Sequence, residues 1–161
     1  MFDKFGEFNS FSEINELAEN LVKEGDLRSL EEMAEENGIS GEYVSMFVDG
    51  DIPYLCDAMT AALGKIDVES KELKPVEIMA DWVEYVKAKC MEDEVFAGYV
   101  RKQGKTLKGC IGAILAWAFQ HQTPVDKEII KAAGVKAGRV TLGEPGMGQA
   151  KKLIRAYYTG R

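Results

Sequence analysis

Three features of this sequence predict a mainly α-helical protein. Apolar residues recur at three- and four-residue spacing in one run after another. Capping residues stand in front of those runs, and glycines close them. The expected architecture is all-α, with short extended segments near 66–68 and 140–142. A compact helical N-terminal unit precedes a C-terminal helical unit built around a central buried helix.

In the N-terminal part, Ser10 and Glu13 form a capping-box pattern. Ile14, Leu17, Ala18, Leu21 and Val22 then mark one helix face, which Gly25 closes. Asp26 caps a second helix with Leu27, Leu30, Met33 and Ala34 inside, ending at Gly38. Ser40 opens a third, with Tyr43, Val44, Phe47 and Val48 inward, and Asp49-Gly50 is a turn. A fourth is expected from Asp51 and Pro53, carrying Leu55, Cys56, Met59, Ala62 and Leu63 to a stop at Gly64. The division is then an acidic helical unit over 1–64, a linker over 65–75 and a basic helical unit over 76–161.

In the second unit, Pro75 suits the first turn of a helix with Met79, Trp82, Val83, Val86 and Cys90 as its stripe. Glu92, Asp93 and Glu94 suit the start of the next, which carries Phe96, Tyr99 and Val100 to Gly104. From Lys105 to Gln120, Leu107, Cys110, Ile111, Ile114, Leu115, Ala118 and Phe119 keep helical spacing without a gap. Gly109, Gly112, Ala113 and Ala116 form a second face of small residues. Each interior glycine costs about 1 kcal/mol relative to alanine, which predicts a neighbouring helix in close approach. With both faces covered, this is the expected central helix. Thr123-Pro124 reads as a cap and first turn, with Ile129, Ile130 and Ala133 inward. The last helix runs from about Met147 to Tyr158.

Charge divides the chain more sharply than any motif. Residues 1–94 hold 24 Asp/Glu against 8 Lys/Arg, a net of −16; residues 95–161 hold 3 against 12, a net of +9. The candidate acidic partner face is Glu31, Glu32, Glu35, Glu36, Glu42 and Asp49. The candidate nucleic-acid or partner-binding cations are Arg101, Lys102, Lys105 and Lys108, with Lys151, Lys152 and Arg155 on the last helix. Such a half suits an anionic partner: RNA, DNA, an acidic protein surface, or the acidic half of a second copy in a homodimer.

Catalytic, metal and cofactor residues are not expected. His121 is the only histidine, and the three cysteines have neither zinc-ligand nor CxxC spacing. Consecutive acids at 92–94 point in different directions and suit helix-end compensation. GEPGMGQAKK, residues 143–152, lacks the P-loop pattern and reads as a turn into a helix, with contact to a nucleic-acid phosphate as the alternative. Ala34, Gly38, Val44 and Phe47 have helix-turn-helix spacing. The would-be reading helix holds Glu42, Asp49 and Asp51 and no Lys or Arg, which opposes DNA binding. MFDKFGEF has no basic leader or apolar core, and no run nears the roughly 20 apolar residues of a membrane span. The expectation is a reduced, cytoplasmic protein.

MEDEVFAGYVRKQGKTLKGCIGAIL, followed by PVDKEIIKAAGV and GEPGMGQAKKLIRAYY, resembles small proteins encoded by phages and conjugative elements, near the PcfK-like group. Glu92–Glu94, Phe96, Lys105, Leu107, Cys110 and Ile111 carry the likeness, which covers roughly residues 75–161 and implies no catalytic residues. Some proteins of this kind are anti-CRISPRs. The resemblance implies a non-enzymatic inhibitor that binds a type II CRISPR effector nuclease with its guide RNA, or the guide or target nucleic acid itself, and blocks DNA cleavage. The alternative is a nucleic-acid-binding accessory of a mobile element.

Overall fold

A computed structural model describes residues 1–161. The first helix, α1 (Phe11–Glu24), begins where the Ser10 hydroxyl accepts the Glu13 N–H at 3.3 Å. Glu13 reaches back to the Asn9 N–H at 2.7 Å, satisfying a further donor at that end. Asp26 caps α2 (Leu27–Glu36) through the Ser29 N–H at 3.1 Å. A short turn leads to α3 (Gly41–Asp49). Ile14, Ala18, Leu21, Leu30, Met33, Ala34 and Val44 meet in a first core. Tyr43 and Val48, expected inward, are exposed; only the Val44–Phe47 stripe of this short helix turns to its neighbours.

The fourth helix overturns the expected linker. It starts at Ala58, where Asp57 accepts the Thr60 N–H at 2.7 Å, and α4 then continues to Leu73. Residues 51–57 are a bent segment that carries Leu55 and Cys56 into the first core. Residues 65–73, read as linker with an extended piece at 66–68, are helix with Lys65, Ile66 and Glu69 buried. Gly64 is a packing residue and not a stop. A Cβ on Gly64 would lie 2.3 Å from the Asn37 carbonyl oxygen, and one on Gly38 would lie 2.3 Å from that of Gly64. Glycine on both sides lets the α2–α3 turn rest backbone to backbone on α4. The actual break is at 74–77, where Lys74 and Glu77 both take positive φ, 47° and 53°.

A second core is formed by α4 with α5 (Ile78–Glu92), α6 (Glu94–Arg101), α7 (Leu107–Gln120) and α9 (Met147–Thr159). Ala61 belongs to the first core; Ala62 and Ile66 belong to the second. The helix shared by both cores is therefore α4, and the expectation of a central α7 is corrected. Only Leu107, Cys110, Ile114 and Ala118 of α7 are buried, while Leu115 and Phe119 on the other side are 56% and 74% exposed.

Between α7 and α9 the chain makes an excursion. Thr123-Pro124, expected to open a helix, is strand β1, and it pairs antiparallel with β2 (Thr141–Leu142) in register Thr123↔Leu142. The extended segment expected near 140–142 is this second strand. Helix α8 (Lys127–Ala132) begins later, capped by Asp126, and buries no residue; Ile129 is 61% exposed. Six residues at the tip of an excursion have no facing layer to bury a stripe.

Candidate partner interface

The candidate cations divide on burial. Arg101 is 1% exposed, which removes it from any surface site. It follows Phe96, Ala97 and Val100 on the inner stripe of α6, so helical spacing turns it inward with them. Its Nη2 donates to Asn37 Oδ1 at 2.7 Å, and the Phe2 ring centroid lies 5.6 Å from its Cζ. Its Nε and Nη1 meet no protein acceptor. Burial holds its pKa below the usual arginine value, opposed first by the Glu7 carboxylate.

The other cations reach the surface, and several stand over tyrosine rings. Lys102 Nζ lies 4.7 Å from the Tyr99 centroid. Lys105 is half-buried; its Nζ lies 5.0 Å from the Tyr157 centroid and donates to the Tyr157 carbonyl at 2.7 Å. That bond ties the turn before α7 to the last residues of α9. Lys151 Nζ lies 5.1 Å from the Tyr85 centroid, on the α5 side of α9. Lys108, Lys152 and Arg155 are exposed. Arg155 lines a cleft of about 410 Å³ with Lys89, Asp93, Tyr99 and Arg161. The structure thus brings Lys102 and Arg155 to the surroundings of one ring, Tyr99. Lys151 stands roughly 9 Å from Tyr157 along α9, at 1.5 Å per residue.

The acidic face also divides. Glu31, Glu35, Glu42 and Asp49 are exposed, and Glu31 and Glu35 line a groove of about 480 Å³ between α2 and α3. Glu32 and Glu36 are occupied by the N-terminal segment. Glu32 pairs with Lys4 and with Arg28 Nε at 3.2 Å, and Glu36 accepts the Lys4 and Phe5 N–H groups at 3.1 and 3.3 Å. The groove follows the helix-turn-helix spacing; no Lys or Arg lies on α3, and the cation that lines the groove is Lys71 of α4.

A buried charge cluster escaped the sequence reading. Lys65, 1% exposed, donates to Glu7 at 2.5 Å and to the Lys102 carbonyl at 2.8 Å. Glu69 accepts the Leu107 N–H at 2.5 Å, and its other oxygen lies 3.9 Å from Lys65 Nζ. Burial pushes the Lys65 pKa down and the Glu69 pKa up. Burial also raises Glu7, but its bonds from Lys65 and the Gly104 N–H outweigh it and hold that carboxyl below its ordinary value. The signal was present: Ala61, Lys65 and Glu69 are four residues apart. A helix stop expected at Gly64 separates Ala61 from Lys65 and Glu69 and breaks that spacing.

The remaining chemistry-bearing residues are accounted for locally. Burial pushes the thiols of Cys56, Cys90 and Cys110 up to about 12, which leaves them protonated and unreactive. Asp93 caps α6 through the Phe96 N–H at 3.0 Å, and His121 stacks on Trp117 at 4.0 Å. No three His, Cys, Asp or Glu side chains converge to hold a metal ion. No helix is long and apolar enough to cross a membrane. No family model, curated protein or solved structure matches the chain.

Proposed function

We propose that the protein is a non-enzymatic inhibitor of a type II CRISPR effector nuclease, binding the effector or its guide or target nucleic acid and so blocking DNA cleavage. One observation carries the binding part of this reading. The two regions differ in the sign of their exposed charge: Glu31, Glu35, Glu42 and Asp49 stand on α2–α3, and Lys151, Lys152 and Arg155 stand on α9, with Lys102 beside Tyr99. An effector of this class holds its RNA–DNA heteroduplex in a positively charged channel. A ligand with an acidic face and a basic face can meet both the channel wall and the phosphates it carries. The class of target comes from the resemblance to the PcfK-like proteins.

The test is DNA cleavage by purified effector–guide complexes with and without the full chain. Inhibition, weakened by charge reversal at Lys151, Lys152 and Arg155, supports the reading; neither binding nor slowed cleavage by any type II effector tested sinks it. The tyrosine–cation pairs favour a second reading, an accessory protein that binds nucleic acid alone. That reading requires salt-sensitive binding to DNA or RNA without an effector.

A further inference from the structure

We propose that α7 is the contact helix of a two-fold symmetric homodimer, joined through the face that carries Gly112, Leu115, Ala116 and Phe119. Two glycines interrupt this helix, and the fold explains one of them. A Cβ on Gly109 would lie 2.2 Å from the Tyr157 hydroxyl, so the Tyr157 ring of α9 occupies the space that a side chain there would need. A Cβ on Gly112 would meet nothing within 4 Å. The helix therefore bears the propensity penalty of Gly112 with no return inside the monomer. On the same stripe, at i+3, i+4 and i+7, stand Leu115, Ala116 and Phe119, with both large side chains more than half exposed. No charged residue interrupts the face from Gly112 to Phe119.

The face is complementary to itself when two copies run antiparallel. An axis between positions 115 and 116 sets each Phe119 opposite the partner copy's open Gly112 position, a knob facing a hole. It also lets two backbones approach where small residues alternate with large ones. In such an isologous contact each favourable pair occurs twice. Charge agrees with this direction. Lys108 stands in the first turn of α7, the unfavourable end for a cation, and the last turn carries no basic residue. Antiparallel pairing brings Lys108 of each copy to the negative C-terminal end of the other helix, one turn beyond its Phe119. A parallel pair would set the two Lys108 side chains against each other.

The test is sedimentation velocity of the full chain from about 1 to 100 µM, together with Leu115→Glu and Phe119→Glu. We expect a species of twice the 17.8 kDa chain mass that dissociates on dilution. Each variant should weaken association at least tenfold while leaving the circular dichroism spectrum unchanged, since both side chains are exposed in the monomer. Gly112→Ala separates this contact from any other: it should raise the melting temperature at a concentration where the chain is monomeric and weaken the dimer. A chain that stays at 17.8 kDa throughout overturns the proposal, as does a dimer that persists in both glutamate variants. In the monomeric case, loss of effector inhibition in Phe119→Glu assigns the face to the effector. No effector is needed for the sedimentation measurement, so its result stands apart from the inhibition assay.

Discussion

At the scale of single residues, space and desolvation decide what a side chain does. Gly64→Ala should destabilise by about 1–3 kcal/mol despite better helix propensity, because the new methyl meets a backbone carbonyl that cannot move aside. At the open Gly112 the same change should stabilise the monomer by about 1 kcal/mol. For a chain of this size each kcal/mol moves the melting temperature by roughly 2–4 °C, and thermal unfolding at low concentration reads the opposite signs. Glu7→Gln removes the carboxylate that balances buried Lys65 and should cost about 2 kcal/mol at pH 7. Its pH dependence follows from the depressed Glu7 value. A carboxyl lowered on folding contributes stability that is present above its ordinary 4.5 and lost as pH falls through the folded value. Urea unfolding between pH 7 and pH 3 should therefore show a shallower acid loss in Glu7→Gln than in the parent chain. Glu69, raised by burial, acts in the opposite sense, since its contribution is lost as pH rises through its folded value. Lys65, lowered by burial, instead adds stability as pH climbs toward 10.5.

At the scale of elements, most helices were legible because their signals are local. Ser10, Asp26 and Asp93 place helix starts by hydrogen-bonding N–H groups within three residues, and spacing carries the inner stripes of α1, α2 and α5 except at Leu27 and Met79, which lie in first turns and are exposed. The misreadings fell where a residue had two uses. Gly64 ends helices in general, but here it permits contact with the α2–α3 turn. Thr123-Pro124 suits a helix start, but the Val125 N–H donates to the Val140 carbonyl at 2.9 Å and extends the β1–β2 ribbon. Hydrogen exchange checks the correction to α4: amides of 66–73 should be protected together with 58–65, whereas 74–77 should exchange first. Fast exchange throughout 65–75 would restore the linker.

At the scale of the whole molecule, the N-terminal segment binds the two cores across their seam. Besides its bonds to α2, Glu7 reaches Lys65 of α4 and the Gly104 N–H at 3.0 Å, while Asn9 Oδ1 accepts the Gln103 N–H at 3.2 Å. The turn that leads to the candidate cations Lys102 and Lys105 is held from below by acidic and amide groups nearly a hundred residues away. Charge reversal at Lys151 and Lys152 should leave stability within about 0.5 kcal/mol, since both are exposed, but should weaken binding to an anionic partner in a salt-dependent way. Arg101→Ala should do the reverse. It exchanges a buried, bonded guanidinium for a cavity and an unpaired Asn37, and should destabilise by about 3 kcal/mol with any loss of binding explained by unfolding. Comparing binding by folded protein with denaturation midpoints separates the two classes.

The sequence by itself determined the helical class, most helix starts and the segregation of charge into two halves, because capping, periodicity and composition act over a few residues at a time. Only the tertiary structure decided which helix both cores share, which basic residue is buried and which face of α7 is left open. Arg101 and Lys102 are adjacent in sequence and alike in charge, yet one lies beside Asn37 and the other over Tyr99 at the surface. That choice depends on what α4 and the N-terminal segment bring against α6, and those partners lie far away along the chain.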